Sequence, residues 1–210
     1  MQGQLFTQDF LLRGVRETPA WAALDEQRLT AFREHLQAIF AGRDAAAFLN
    51  EAQTEAEIIA PVLDALDWGD AHRLPQVNLS ARRREDVPDW LLFPDVEAKQ
   101  KALPLKDDQR PRHGIALLEA KRWLRPLDRG VASEPQDPDA PSSQMLRYLS
   151  RADVMSDRAI KWGVLTNGAV WRLYWQDARS RAEQFFEIDL ALALGVPGAQ
   201  DDLDAPAPEH

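Results

Sequence analysis

Asp89, Glu119 and Lys121 are the residues of this chain best suited, by type and spacing, to do chemistry. Asp89 follows a proline and opens the apolar run Asp89-Trp90-Leu91-Leu92-Phe93. Glu119 and Lys121 close a second run, Ile115-Ala116-Leu117-Leu118-Glu119-Ala120-Lys121, bounded by His113-Gly114 and Pro126. This second run is short and apolar on both faces, the pattern of a buried central strand. Side chains alternate along a strand, so Glu119 and Lys121 share one face. If the two runs pair, the Asp89 carboxylate meets that of Glu119, and two carboxylates and an ammonium converge. Mg²⁺ takes hard oxygen ligands and keeps several waters, so these carboxylates, a main-chain carbonyl such as that of Ala120 and a substrate phosphate form a coordination shell, with Mn²⁺ as the expected substitute. The chemistry implied is phosphodiester hydrolysis: the metal polarises the phosphate and acidifies an attacking water, and Lys121 orients that water or stabilises the developing charge. Taken singly, Pro-Asp is a common turn pair, and Glu-x-Lys on a strand reads as a solvated salt-bridging face. The apolar surroundings argue the other way, because a carboxylate and an amine are costly to bury unless something pairs with them.

Two further elements must bring polar groups to this point. Gln144 and Tyr148 lie four apart on a helix predicted to start near Gln144, after the turn-rich Asp137 to Ser143, where a serine can cap it. An amide and a phenol on one face form a shelf that can reach the lysine, a carboxylate or a DNA backbone. Upstream, Asn50 to Trp68 carries Ile58, Ile59, Val62, Leu63 and Leu66 at helical spacing. At about 100° per residue Glu55 falls on that stripe and Glu57 on the opposite face, which makes Glu55 the site candidate. The competing role for Glu55 is a first-turn carboxylate favoured by the helix dipole, after a cap at Asn50 or Thr54.

The order Pro88-Asp89, Glu119-Ala120-Lys121, Gln144-x-x-x-Tyr148, then Trp162-Gly163-Val164-Leu165-Thr166-Asn167-Gly168 with Trp171-Arg172-Leu173-Tyr174, resembles the PD-(D/E)-x-K nuclease domains of restriction enzymes. It is most similar to the amino-terminal nuclease domain of large restriction-modification proteins of type IIG or IIL and of related phage-defence methyltransferases; type I motor subunits share the pattern more distantly. The likeness runs from about Leu49 to Leu190 and takes in the helical lead-in from Leu5. It implies a restriction-endonuclease-like α/β fold, a mixed central sheet flanked by helices. By the same resemblance Asp89 and Glu119 are metal ligands, Lys121 is the catalytic lysine, Gln144 and Tyr148 are the accessory pair, and a glutamate belongs in the helix that carries Glu55. The segment between the two motif strands is longer than the pattern. In the resembling proteins a methyltransferase and a target-recognition module follow, so such a partner in cis or in trans is expected, with double-stranded DNA as substrate.

Composition bounds the rest. With 210 residues and 45% hydrophobic content, the chain can bury one good core. The expected division is a helical extension over 1–48, a nuclease core over 49–192 and an acidic, proline-containing linker or tail over 193–210. There is no Gly-x-x-x-x-Gly-Lys-Ser/Thr loop and no glycine-rich dinucleotide fingerprint, so neither ATP hydrolysis nor cofactor-dependent methylation is supported. Its 4 histidines lack ligand spacing and there are 0 cysteines, which argues against structural zinc. Absence of cysteine suits a reducing compartment. With neither a basic-then-apolar start nor a run near the roughly 18 apolar residues of a spanning helix, a cytoplasmic protein is expected.

The net charge of −9 is unevenly spread: His72 to Gly130 holds 13 Lys+Arg against 9 Asp+Glu. Arg82-Arg83-Arg84 before the proline-aspartate pair, and Arg122, Arg125 and Arg129 after the glutamate, are candidates for phosphate contact. An arginine run beside Glu85-Asp86 reads equally as a solvated loop. Asp95 to Arg112, rich in both charges, is expected to be a mobile insertion open to ordering by DNA. Further expected elements are helices over 6–13, 25–41 and 50–66 and strands over 74–79, 89–93, 115–123, 162–166, 170–175 and 185–188. Asn167-Gly168 joins two of them as a hairpin. Trp162, Trp171 and Trp175 are expected in the hairpin core or as platform residues. Two rival functions fit the same residues: a non-catalytic DNA-binding or assembly module, which would hold DNA in chelator, and a repair nuclease or junction resolvase, which would prefer branched or single-stranded ends.

Overall fold

The computed structural model describes residues 3–43, 49–79, 86–129 and 140–196. The Arg82-Arg83-Arg84 run, the turn at 137–139 and the tail from 197 onward lie outside the described residues. The fold is mixed α/β, built on an open six-stranded sheet with strands in chain order: β1 (Arg73–Pro75), β2 (Trp90–Leu92), β3 (Ala116–Ala120), β4 (Trp162–Thr166), β5 (Val170–Trp175) and β6 (Phe185–Asp189). Only β3 and β4 run parallel; every other neighbouring pair is antiparallel. Parallel neighbours need a long crossover, here supplied by helix α7 (Pro141–Met155).

Helices cover both faces of β3, which explains a strand whose five residues are all buried. On one face Leu91, Leu117, Leu165 and Tyr174 pack with Met145, Tyr148, Leu149 and Ala152 of α7. Those helix positions recur at the three- and four-residue spacing of an amphipathic stripe. Gly163 lets α7 approach β4 closely, since a Cβ there would stand 2.7 Å from the Met145 sulfur. On the other face Trp90, Leu92, Ala116, Leu118 and Ala120 pack with Ile59 and Leu63. Burying one such leucine contributes about 2 kcal/mol, so β3 is a main source of the stability of the sheet.

Ile59 and Leu63 belong to one helical rod with a fault in it: α4 (Glu51–Thr54), a π-helical turn (Glu55–Ile59) and α5 (Ala60–Ala65). Asn50 caps the rod, its side chain accepting from Gln53 N–H while the Gln53 side chain accepts from Asn50 N–H. Among the lead-in helices, α1 (Gln8–Leu12) and α2 (Pro19–Ala22) are short. The longer α3 (Glu26–Phe40) is capped by Asp25. Leu36 and Phe40 of α3 join Ile58, Val62, Trp123, Ala169 and Ala191 in one cluster, so the lead-in shares its core with the sheet. Val196, beyond α8 (Leu190–Ala193), packs in the same cluster.

Three sequence expectations change. The strand expected over 74–79 is the short β1, displaced toward Arg73, and Gln76 beyond it has φ of 50°. The segment from Asp95 to Arg112 is ordered: it forms α6 (Val96–Ala102), capped by Asp95, and a 3₁₀ turn over Arg110–His113, and it buries Ala102 and Pro111. Its charges are used internally, Lys99 donating to the Asp70 carbonyl, Lys101 pairing with Glu97, and Arg110 with Asp107. Helix α7 begins at Pro141 with Ala140 as a cap that makes no side-chain bond, in place of a serine cap before Gln144. Proline at a first helical position is already set for helix, and its missing N–H costs nothing there.

Candidate active site

The β2–β3 register pairs Trp90 with Leu118 and Leu91 with Leu117; one residue further, it sets Asp89 opposite Glu119. Side chains opposite each other in an antiparallel pair lie on the same face, here the α7 face. Asp89 is fixed by a hydrogen bond from Ala120 N–H to its Oδ2 at 2.6 Å. Lys121, anchored by its N–H to the Thr166 carbonyl at 2.7 Å, donates Nζ to Glu119 Oε1 at 2.8 Å. Glu119 and Lys121 are 4% and 3% exposed, and Glu119 Oε2 is buried with no hydrogen-bond partner among the described residues. A buried carboxylate oxygen left without a donor is costly.

Electrostatics agree with that geometry. Burial above all pushes the Asp89 carboxyl up to about 7; the Ala120 N–H opposes this, the charges of Glu51 and Glu55 add to it, and Lys121 opposes it. Burial likewise raises Glu119 to about 8, with the neighbouring Asp89 next in weight and Lys121 opposing. Two carboxylates crowded in apolar surroundings resist sharing negative charge until a cation joins them. Helix α7 overhangs the pair. Gln144 donates Nε2 to the Tyr148 hydroxyl at 2.8 Å. The Tyr148 phenol is held above its usual range by burial and then by the charge of Glu119. Gln144 Oε1 is a second buried oxygen with no hydrogen-bond partner among the described residues.

Five of the residues singled out in the sequence, Asp89, Glu119, Lys121, Gln144 and Tyr148, therefore meet on one face, beside the Ala120 backbone. Glu55 is partly buried at the edge of this group and its carboxyl is raised, by burial first and then by Glu51, while Arg73 opposes the shift. Glu57 points elsewhere, to Arg43 at 2.5 Å. Glu51 is the residue that sequence reading missed: its charge acts on Asp89, Glu119 and Glu55 alike. The signal was available, since Glu51 precedes Glu55 by four residues and so shares its helical face. Arg125 leaves the set of phosphate contacts, because it is 2% exposed and buried within the fold. Trp162 and Trp175 pair across the hairpin with ring centroids 4.4 Å apart, and the Trp171 indole donates to the Gly168 carbonyl.

Among the described residues no group of three or more His, Cys, Asp or Glu side chains is arranged to hold a metal ion. The donor set is the Asp89–Glu119 pair with Glu51 and Glu55 farther out. Such a set suits Mg²⁺, which keeps much of its water and needs one or two carboxylates from the protein. No helix among the described residues is long and apolar enough to cross a membrane. No protein-family model, curated protein or solved structure matches this chain.

The three glutamates of the rod should separate in a metal titration. Glu57→Gln is expected to leave Mn²⁺ affinity unchanged. Glu51→Gln and Glu55→Gln weaken it several-fold, Glu51→Gln the more because its charge reaches both core carboxylates. Calorimetry on the three variants checks the order, and an effect at Glu57 equal to that at Glu51 overturns it.

Proposed function

We propose that this protein is a Mg²⁺-dependent DNA endonuclease of PD-(D/E)-x-K type, with a restriction-endonuclease-like fold, acting in defence against foreign DNA. The observation that carries the reading is the opposed Asp89–Glu119 pair, with Glu119 Oε2 buried and, among the described residues, unpartnered, beside an ammonium at 2.8 Å from Oε1. Asp89 and Glu119 would hold the cation, which when bound supplies Lewis-acid polarisation of a phosphate and a more acidic water. Lys121 is tethered by Glu119 where it can orient the attacking water or meet the charge that develops on the phosphate. Because Gln144 donates to the Tyr148 oxygen, the phenol keeps its own proton to donate, and its raised pKa keeps it neutral across the working range. The defence role, and a methyltransferase or target-recognition partner in cis or in trans, follow from the resemblance in motif order.

Supercoiled plasmid in low salt provides the test. Nicking is expected with Mg²⁺, faster with Mn²⁺ and absent in chelator, with ends scattered over the sequence. Binding should be weak and should fall steeply with salt, since phosphate contacts release counterions. No nicking with either metal overturns the reading. DNA held in chelator without cleavage identifies a binding module, a preference for branched or single-stranded ends identifies a repair nuclease, and one sharp cut site means that the chain reads sequence itself.

A further inference from the structure

Thr54 joins the carboxylate-bearing helix to the strand that carries Glu119 and Lys121. It lies between Glu51 and Glu55 and is fully buried. Its Oγ1 donates to the Asn50 carbonyl at 2.8 Å and accepts from Trp123 N–H at 2.8 Å. Trp123 stands two residues beyond Lys121, where the chain leaves β3, so one hydroxyl bridges the cap of the rod and the end of the strand. The methyl group is equally confined. Gly168, at φ of 84° in the β4–β5 turn, has its Cα so close that a Cβ would lie 2.9 Å from Thr54 Cγ2 and 3.1 Å from the Trp123 ring. Immediately after Thr54 the rod departs from α-helical bonding: the π turn runs over Glu55–Ile59, and Ala60 N–H reaches back to the Glu55 carbonyl. π turns inside helices recur at functional sites, where they shift the phase of the side chains that follow.

We infer that Thr54 is a positioning residue, its hydroxyl setting how far the Glu51 and Glu55 carboxylates stand from Asp89 and Glu119. The inference rests on the nuclease reading for its consequence, but the coupling itself is a matter of one hydrogen bond. Removing the hydroxyl leaves the Trp123 N–H buried without its acceptor and frees the rod from the strand end. Partners that orient metal-binding carboxylates commonly change metal affinity by about 10- to 100-fold when lost.

Thr54→Val keeps the shape and removes the hydroxyl; Thr54→Ser keeps the hydroxyl and removes the methyl. In Thr54→Val, Mn²⁺ affinity by calorimetry is expected to fall about tenfold and exchange of the Trp123 amide proton to accelerate, with far-ultraviolet circular dichroism unchanged. Thr54→Ser is expected to stay within about twofold of the unsubstituted protein in affinity and to retain amide protection. Thr54→Val binding Mn²⁺ as tightly as the unsubstituted protein overturns the inference. So does Thr54→Ser losing as much affinity as Thr54→Val, because the residue then acts by packing. Should Thr54→Val fail to fold, Thr54→Ala, which also lacks the hydroxyl, takes its place in both comparisons. Absence of Mn²⁺ binding by the unsubstituted protein defeats the nuclease reading and this consequence of it together, whereas binding that is insensitive to Thr54→Val defeats only the inference.

Discussion

Lys121→Ala is expected to abolish the proposed plasmid cleavage and to leave the protein folded. The Lys121 ammonium is buried, 2.8 Å from Glu119 Oε1, on the face where Asp89 and the Tyr148 hydroxyl converge. Losing one preorganised group that meets transition-state charge reduces turnover by about 10²- to 10³-fold. Since Lys121 is proposed also to orient the nucleophile, the variant is expected at or beyond the upper end of that range. Folding survives because Glu119, deprived of its donor, sits in surroundings that already raise its carboxyl to about 8 and can keep a proton at neutral pH. Nicking assays with Mg²⁺ and Mn²⁺, run beside circular dichroism and a thermal melt, check both halves. Undiminished nicking by a purified, folded Lys121→Ala sample sinks the catalytic assignment; an unfolded sample instead marks Lys121 as a structural residue.

The core of this site was legible because period-two alternation is a strong constraint. Ile115 to Lys121 is apolar on both faces, so β3 had to be central, and a central strand that ends in Glu-x-Lys must place both on one face. The face shared with Asp89 then followed once β2 was its neighbour, and the 23 residues between Leu92 and Ala116 did not prevent that pairing. What escaped reading has physical causes. A uniform 100° step puts Glu55 on the buried stripe by assuming a regular helix, whereas the rod has a π turn over Glu55–Ile59. Pro61, which lacks the N–H that an α-helix would direct at the Glu57 carbonyl, was the local hint of irregular bonding. Glu51 was overlooked because a first-turn carboxylate has a sufficient explanation in the helix dipole, and only tertiary packing aims it at Asp89. The Asp95 to Arg112 segment looked mobile because of its charge density, yet Asp95 caps α6 and the charges pair at short range, while Ala102 inserts into the core. Nothing local distinguished Arg125, buried, from Arg122 beside the lysine; that difference arises from how the chain turns after β3.

In metal-free buffer Asp89→Asn and Glu119→Gln stabilise the protein, and they do so increasingly as pH rises. Both carboxyls are raised in the folded state, Asp89 from 3.8 to about 7 and Glu119 from 4.5 to about 8. Between the unfolded and folded values the native protein holds protons that the unfolded chain has released, so stability falls as pH increases through that window. Below about pH 3 both groups are protonated in either state and the penalty vanishes; above about pH 8 it is fully present. Asparagine and glutamine keep an acceptor for the Ala120 N–H and for Lys121 but carry no charge to desolvate, so the penalty disappears. The expected difference from the unsubstituted protein at pH 8.5 is on the order of 3 kcal/mol, equivalent to about 10 °C in Tm for a chain of this size, falling to well under half of that by about pH 5. Comparing each variant with the unsubstituted protein at the same pH cancels groups common to both. Adding Mg²⁺ or Mn²⁺ should reverse the ranking, because a cation that binds only the folded state stabilises it and relieves the same repulsion, an effect the neutral side chains cannot share. Melts from pH 5 to 9 with and without metal give the whole pattern. A Tm difference that does not change with pH means that the two carboxyls are not raised, and a metal that stabilises the Asp89→Asn and Glu119→Gln proteins as much as the unsubstituted one means that it binds elsewhere.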